Sequence, residues 1–324
     1  MNNKNTHTVI VLAYNHEKYI SAALDSVLSG KKIPDQLIVV DDCSTDLTLK
    51  ILKKYQKKYP EIVELIENKS NLGIFDNLNH IYELPVRGSL ISFLGGDDIY
   101  DLSLLAAIDS ELEKYDLDPK KDKFMMLPNV ANLFLDGSAH VLDNSAIDMI
   151  YTATPFQIAL RSKLYSMHVG ISGALYREWD RFPKNAMKDI GIYADLPHYL
   201  SNIKACDFFV PVCSATSYHR VDVGVTSLSH KFSPQESRYR AMRVVLEKFH
   251  NYLSLSDWFY VNFTMAVDSI YTRRSFLESA KIIWLFPLGL LTENIERYYY
   301  VKSIYKLAAD VIGKLKKFIK IFLR

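Results

Sequence analysis

Two adjacent carboxylates after a buried strand are the clearest chemical signal in this sequence. The apolar run 90–94 is typical of a strand covered on both faces, and Gly95 and Gly96 let the backbone turn sharply and approach a ligand. Asp97 and Asp98 then repel each other and cost desolvation at the end of that strand. A divalent cation with phosphates on its far side would relieve both costs. The alternative is an Asp-rich turn that only precedes the next helix.

The first half of the chain alternates strands and helices in the order that a mostly parallel sheet requires. Four apolar segments are predicted as strands, at 9–13, 37–40, 62–66 and 90–94. Asn15, and then Thr45 or Asp46, are placed to cap the first two intervening helices. Right-handed crossovers put such helices on both faces of the sheet, so the sequence predicts an α/β fold.

Polar residues follow each predicted strand and are expected at one edge of the sheet, where ligands bind in this fold class. They are Tyr14 and Asn15, Asp41 and Asp42, Asn71 to Gly73, and Asp97 with Asp98. No G-x-G-x-x-G follows the first strand and no Walker A sequence occurs, so a glycine loop does not cradle phosphates. Acidic residues and a metal ion must take that role.

In this order the motifs resemble the family 2 glycosyltransferases, whose nucleotide-sugar-binding domain has the Rossmann-like GT-A fold. The segments that carry the resemblance are VIVLAYN at 9–15, IVVDDCSTD at 38–46, NLG at 71–73 and LGGDD at 94–98. The resemblance covers about the first 110 residues closely and continues more weakly to about residue 227. It implies a GT-A sheet that is mostly parallel, with helices on both faces.

The resemblance also implies a nucleotide site built from these polar loops. Tyr14 would lie against the base, Asp42 would accept a hydrogen bond from it, and Asn71 would approach from the third loop. A carboxylate can accept the ring N–H of uracil or guanine but finds no such proton on cytosine, so UDP is expected ahead of GDP or dTDP. Asp97 would face the ribose or the metal, and Asp98 would be the main ligand of Mg²⁺ or Mn²⁺.

An inverting transfer also needs a base that takes the proton from the acceptor hydroxyl. Residues 170–177 resemble the family's acceptor segment, and Asp195 then stands at the start of a helix where the base belongs. Asp189 is the substitute, and a plain helix cap is the structural alternative for Asp195. Two departures from the family pattern are Gly95, where many relatives have the first acid of the metal motif, and Ala194, which replaces the usual Glu.

Residues 218–227 resemble a late loop of the family in which a His can touch diphosphate or metal. Asp222 occupies the matching position and could ligate the same ion, while Arg220 could pair with phosphate. His219 is the alternative phosphate contact. An exposed loop of mixed charge is the structural alternative.

Composition argues against several other classes. The 39 basic and 37 acidic residues nearly balance, which gives no support to nucleic-acid binding. The three cysteines form no close pair, so neither a disulfide framework nor a thiol zinc site is indicated, and a reducing compartment is expected. The polar N-terminus lacks the features of a signal peptide, and the apolar run 282–291 is too short to span a membrane. We therefore expect a cytoplasmic protein.

Two domains are expected. Residues 1–231 would form the GT-A transferase domain, with an acceptor part at about 124–231 in which a strand at 124–134 turns and returns at 140–142. Residues 232–324 would be helical, with a basic amphipathic tail that has eight Lys or Arg and one acid from Arg297 onward. Such a helix is typical of attachment to an anionic membrane surface, here the inner face of the plasma membrane. The alternative is that it packs on the protein body.

The resemblance implies an inverting, metal-assisted glycosyltransferase that moves one hexosyl or N-acetylhexosaminyl group from a UDP-sugar to a hydroxyl of a glycan acceptor. By analogy, the acceptor is expected to be linked to polyprenyl diphosphate in the synthesis of a cell-surface polysaccharide such as O-antigen. A nucleotidyltransferase would need a Gly- and Lys-rich loop after the first strand, and none is present. A catalytically silent nucleotide-sugar-binding or scaffold protein is the alternative from a different class.

Overall fold

The structure is a computed structural model of the chain, in which residues 5–81, 83–142, 154–161, 170–178, 195–221, 223 and 233–272 are described. These residues fall into two compact units. The first unit takes the described residues up to 178 and from 198 to 223, and the second takes 195–197 and 233–272.

The first unit begins as an alternation of strands and helices, as the sequence predicts. Its elements up to residue 114 are β1 (His7–Ala13), α1 (Ile20–Leu28), β2 (Gln36–Asp41), α2 (Thr48–Lys58), β3 (Val63–Glu67), α3 (Gly73–Ile81), β4 (Leu90–Gly95), β5 (Ile99–Tyr100) and α4 (Leu104–Lys114). The chain continues with β6 (Phe124–Leu133), β7 (Ala139–Val141), α5 (Pro155–Arg161), β8 (Ile171–Ser172), α6 (Gly173–Arg177), α7 (Asp195–Ile203) and β9 (Phe208–Arg220).

One sheet joins these strands in the order β3-β2-β1-β4-β8-β6-β9-β5, and β7 pairs with β6. The strands β1 to β4 pair in parallel, which confirms the prediction for this half. Beyond β4 the sheet is mixed, because β8 runs antiparallel to both β4 and β6 and β5 runs antiparallel to β9. The predicted hairpin within 124–142 is confirmed as the antiparallel pair β6 and β7.

Alternate side chains of the parallel strands enter two separate cores, because successive strand residues point to opposite faces. Val9 and Val11 of β1 pack in one core with residues of α1, α2 and α4. Ile10 and Ile38 pack in the other with Leu78 of α3. The prediction of helices on both faces is therefore confirmed.

The parallel strands end level with one another. Ala13 is the register partner of Asp41, and Leu12 is the partner of Gly95. Backbone hydrogen bonds extend the alignment past the strand ends, since the N–H of Gly96 donates to the carbonyl of Leu12 and the N–H of Asp42 to that of Ala13, both at 2.8 Å. The polar loops after β1, β2 and β4 consequently share the carboxyl edge of the sheet.

The second unit contains α8 (Pro234–Phe249), a 3₁₀ turn (His250–Tyr252) and α9 (Leu255–Tyr271), which confirms the predicted helices in this region. Arg238 of α8 forms a two-pronged ion pair with Asp268 of α9, whose side chain is fully buried. No described helix has both the length and the apolar character to cross a membrane. The basic amphipathic tail predicted near the C-terminus lies outside the described residues.

Candidate active site

Asp97 and Asp98 occupy the tight turn between β4 and β5, at the carboxyl edge of the sheet. The N–H of Asp98 donates to the carbonyl of Gly95 at 3.0 Å, which closes the turn. The two side chains keep 15% and 20% of their surface exposed, so they are shielded yet open to a ligand. Because β5 pairs with β9 at Ile99 and Tyr218, the turn faces the end of β9.

The end of β9 supplies the partners of the Asp98 carboxylate. The backbone N–H of Arg220 donates to Oδ1 of Asp98 at 2.8 Å. The ring Nδ1 of His219 lies 3.2 Å from the same oxygen and 3.3 Å from Oδ2. The structure therefore places Arg220 and its alternative His219 beside Asp98, and their contacts with phosphate stay predictions.

The Arg220 side chain is fixed at two points. Its Nε donates to the backbone carbonyl of Asp97 at 2.9 Å. Its guanidinium carbon lies 4.9 Å from the ring centroid of Tyr19, which is within the range of a cation–π contact. Tyr19 was not among the residues predicted from the sequence, because nothing in its local pattern distinguishes it from a core aromatic residue.

Burial raises the pKa of the Asp97 carboxyl above its ordinary value, and the negative charge of Asp98 raises it further. His16 and His219 act in the opposite direction. The Nε2 of His16 lies 3.9 Å from Oδ2 of Asp97, and within the described part of the chain its buried Nδ1 has no hydrogen-bond partner. Sequence reasoning missed His16, although its position directly after Tyr14 and Asn15 could have indicated it.

A side chain at either of the two glycines before these carboxylates would crowd neighbouring atoms. A Cβ on Gly95 would lie 2.9 Å from an oxygen of both Asp97 and Asp98. A Cβ on Gly96 would lie 2.5 Å from Nδ1 of His16. Glycine at these two positions therefore avoids contacts with the His16 ring and with the two carboxylates, and the approach of the backbone to a ligand stays a prediction.

Asp42 is almost fully buried after β2 and organises the loop after β3. Its Oδ1 accepts hydrogen bonds from the Asn68 side chain (2.9 Å) and from the N–H of Leu72 (2.8 Å), and its Oδ2 accepts one from the N–H of Gly73 (3.0 Å). Asn71 lies in the same loop with an exposed side chain. The nucleotide contacts of Asp42 and Asn71 stay predictions.

Asn15 joins two loops and does not cap α1, so that prediction is wrong. Its backbone is left-handed (φ 55°), its Oδ1 accepts from the N–H of Thr45 at 2.8 Å, and its own N–H donates to Oγ of Ser44 at 3.0 Å. The prediction that Thr45 or Asp46 is the N-cap of α2 is also wrong, because Leu47 holds that position; Oδ1 of Asp46, one residue earlier, accepts from the N–H of Thr48 at 2.9 Å. Tyr14 lies half-buried beside Asn15, and its contact with a base stays a prediction.

The remaining predicted residues are only partly described. Asp195 is the first residue of α7, which confirms the helix start, but its side chain lies outside the described residues and it belongs to the second unit. Asp222, Asp189 and Ala194 also lie outside the described residues. Among the residues that the structure describes, no group of three or more His, Cys, Asp or Glu side chains could hold a metal ion.

Residues 8–118 match the sequence profile of the family described as glycosyl transferase family 2. The matched residues, about a third of the chain, are called the family 2 segment below. The family 2 segment contains Asp42, Asp97 and Asp98, whereas His219 and Arg220 lie beyond it.

Two curated relatives are similar to the family 2 segment. An uncharacterized glycosyltransferase of Haemophilus influenzae is 37% identical over 109 residues, which cover 34% of this chain and 33% of the relative. The poly(ribitol-phosphate) beta-N-acetylglucosaminyltransferase TarS of Staphylococcus aureus is 37% identical over 93 residues, which cover 28% of this chain and 16% of TarS. The chain thus spans about a third or less of the length of the curated relatives it matches.

Solved glycosyltransferases share the fold over a larger part of the chain. The crystal structure of residues 1–349 of S. aureus TarS with UDP-GlcNAc has a TM-score of 0.57 at 18% identity and covers 92% of this chain and 79% of the TarS chain. The structure of GalNAc-T7 with UDP, GalNAc and Mn²⁺ has a TM-score of 0.54 at 13% identity and covers 82% of this chain and 52% of that one. These likenesses establish the GT-A type of α/β fold for this chain.

Proposed function

We propose that this protein is a glycosyltransferase that moves one sugar from a UDP-sugar to a hydroxyl group of a glycan acceptor. The observation that carries the proposal is the Asp97–Asp98 turn, which lies at the carboxyl edge of a family 2 fold with Arg220 against it. The two carboxylates can bind a metal ion and the adjacent Arg220 guanidinium can bind phosphate, so the turn suits a metal-bound diphosphate. The similarity to TarS, whose structure was solved with UDP-GlcNAc, supports an N-acetylhexosaminyl donor.

The polar loops supply the proposed nucleotide contacts. Tyr14 stacks on the uracil, Asp42 accepts the imide N–H, and Asn71 contacts the nucleoside from the exposed loop after β3. Asp42 already accepts three hydrogen bonds, of which only one reaches Oδ2, so that oxygen keeps capacity for one more donor. Arg220 faces the diphosphate, and Asp97 faces the ribose or the metal.

The donor set of the turn fits a divalent cation. Asp98 and Asp97 offer carboxylate oxygens, which Mg²⁺ and Mn²⁺ prefer, and burial together with the charge of Asp98 raises the pKa of Asp97, so a bound cation would stabilise its ionised form. Asp98 would be the main ligand, and Asp222, in the segment 218–227 that resembles the family's late loop, would be a second. When bound, the ion supplies positive charge to the leaving UDP. Asp97 and Asp98 hold their oxygens in place through the turn, and Arg220 adds a second positive group beside them.

Asp195 is proposed as the base that takes the proton of the acceptor hydroxyl while that oxygen attacks the anomeric carbon. The helix start at Asp195 supports this role, because the family resemblance places the base at the start of a helix. A single displacement of this kind inverts the anomeric configuration. The acceptor segment is anchored on β4, since the N–H of Gly170 donates to Oγ of Ser92 at 3.1 Å.

A lipid-linked acceptor remains part of the proposal because of the composition of the C-terminal segment. Its eight basic residues and its apolar face would hold the enzyme on an anionic leaflet where polyprenyl diphosphate glycans are presented. Sedimentation with vesicles that contain phosphatidylglycerol tests this part separately from sugar transfer.

Calorimetric titration of UDP and GDP, each with and without Mn²⁺, tests the nucleotide and metal assignments. We expect Mn²⁺-dependent binding of UDP that is tighter than that of GDP. A donor panel that starts with UDP-GlcNAc then tests transfer. The absence of UDP binding would contradict the proposal, and binding without transfer or donor hydrolysis would favour the catalytically silent binding protein.

A further inference from the structure

We propose that Tyr19 is a positioning residue that holds Arg220 against the Asp97–Asp98 turn, so that the guanidinium group meets the diphosphate of the donor. This inference rests on the proposed function. Tyr19 is half-buried and is the last residue of the loop between β1 and α1. It is not one of the nucleotide contacts proposed above.

Backbone contacts alone do not fix the Arg220 guanidinium. The backbone N–H of Arg220 donates to Asp98 and does not restrain the side chain, and Nε donates to the carbonyl of Asp97, which holds one edge of the guanidinium group. The guanidinium carbon also lies over the ring of Tyr19, 4.9 Å from the ring centroid. A cation held by one hydrogen bond and by an aromatic ring has fewer accessible orientations, which lowers the entropy cost of pairing with phosphate.

Tyr19 is itself fixed by the turn that leads into α1. The N–H groups of Tyr19 and Ile20 both donate to the carbonyl of His16, at 2.9 and 2.8 Å. His16 and Tyr19 are three residues apart and therefore lie on one side of this turn. From that side, His16 approaches the Asp97 carboxylate and Tyr19 approaches Arg220. One helical turn thus supports both the acidic and the basic part of the site.

The test compares three variants by titration with UDP and with uridine. Tyr19→Leu removes the π face and should weaken UDP binding about three- to tenfold, the range of a partly exposed cation–π contact, and leave uridine binding unchanged because uridine has no phosphate. Tyr19→Phe keeps the ring and should bind UDP within about twofold of wild type. Tyr115→Leu removes a comparable contact with Lys114 on α4 and serves as the matched control.

A double-mutant cycle separates positioning from a general loss of folding. In an Arg220→Gln background, Tyr19→Leu should no longer change UDP affinity, since the cation that it positions is absent. Equal UDP affinity in Tyr19→Leu and wild type would overturn this proposal alone, as would an equal loss of uridine and UDP binding. Failure of the wild type to bind UDP would instead overturn the proposed function, and this inference with it.

Discussion

The backbone N–H of Arg220 donates to Oδ1 of Asp98 at 2.8 Å, so the last residue of β9 completes the turn that follows β4. This hydrogen bond comes from the main chain and persists whichever side chain occupies position 220. The carboxylate is therefore held in one orientation by the fold, while its remaining lone pairs stay available to a ligand.

Asp98→Asn should remove the charge of the proposed metal ligand and keep the acceptor for the Arg220 N–H. We expect Mn²⁺-dependent UDP binding to weaken by about 1.5–3 kcal/mol, the scale of a lost charged contact, with little change in the free energy of unfolding. Isothermal calorimetry at fixed Mn²⁺ measures the effect. Asp136→Asn, in the exposed turn between β6 and β7, is the matched control. Equal UDP affinity in Asp98→Asn and wild type would exclude Asp98 as a metal ligand.

Asp97→Asn should stabilise the unliganded fold while it impairs binding. Burial and the charge of Asp98 raise the pKa of Asp97, so the folded state holds this proton more tightly than the unfolded state does. That contribution to stability is present at low pH and is lost as pH rises through the raised pKa. At pH 7 we expect Asp97→Asn to raise the free energy of unfolding, and this gain should disappear near pH 3, where the Asp97 carboxyl is protonated in both states. Urea titrations at both pH values provide the measurement, and a lower stability at pH 7 would contradict the argument.

Gly96→Ala should crowd the His16 ring and the carbonyl of Leu12, which lie 2.5 and 3.0 Å from the position of the added Cβ. We expect a loss of about 1–3 kcal/mol in the free energy of unfolding, as in other overpacked sites. In a His16→Ala background the loss should be smaller because the nearest atom is gone. If Gly96→Ala lowers the free energy of unfolding by the same amount in the wild-type and His16→Ala backgrounds, the two positions are not coupled.

The carboxylate of Asp109 should make stability depend on pH at the opposite edge of the sheet. Burial raises the pKa of Asp109, but hydrogen bonds from Nε2 of His7 and Nζ of Lys32 outweigh it, and the net pKa is lowered. Stability from such a group is present above its ordinary pKa and is lost as pH falls through the lowered value. The free energy of unfolding should therefore decrease below about pH 4, and Asp109→Asn should flatten this decrease.

Asp207→Asn, which alters an exposed carboxylate before β9, is the control for Asp109 and should leave the acid slope unchanged. Thermal unfolding in a pH series from 3 to 7 provides the comparison. An acid slope that is equally steep in Asp109→Asn and wild type would rule out the proposed contribution of this ion pair.

In the second unit, Arg238→Ala should leave the buried carboxylate of Asp268 without its two-pronged partner. Removal of one member of a buried ion pair costs about 3–5 kcal/mol, because the other charge stays desolvated. Arg243→Ala breaks an exposed pair with Glu247 on the same helix and should cost at most about 0.5 kcal/mol. Denaturation followed by tryptophan fluorescence, with Trp258 on α9 as the probe, distinguishes the two results. Similar losses in the two variants would contradict the assigned difference in burial.

Much of the first unit could be predicted because its signals are local. The parallel strands are mostly apolar, interrupted only by Glu64 in β3 and Ser92 in β4 between their first and last apolar residues. The polar residues that follow β1, β2 and β4 come directly after the strand or within three residues of it, so the strand and its position at the sheet edge can both be predicted from a short stretch of sequence. The strand β8 has only two residues, Ile171 and Ser172, which is too few to show a period. The mixed half of the sheet was therefore predicted only in part.

The errors and omissions involve residues whose partners are distant in sequence. Asn is a common N-cap residue, but the side chain of Asn15 accepts a hydrogen bond from Thr45 and its N–H donates to Ser44, both in the loop after β2. His16 and Tyr19 resemble ordinary residues of a helix start, and only the fold places them beside Asp97 and Arg220. The nearness of Arg220 to the turn was inferred from resemblance, since no spacing rule connects the two.

The hydrogen bond between Arg220 and Asp98 joins positions that are 122 residues apart in the chain. During synthesis, β1 to β4 leave the ribosome long before β9, and their mutual contacts are comparatively local. The strands that present the carboxylates can therefore assemble while the turn still lacks its partner, because contacts between distant segments form later than local ones. A nascent chain that ends before residue 220 has the carboxylates but lacks the group that orients them, so the proposed metal site is completed late in folding.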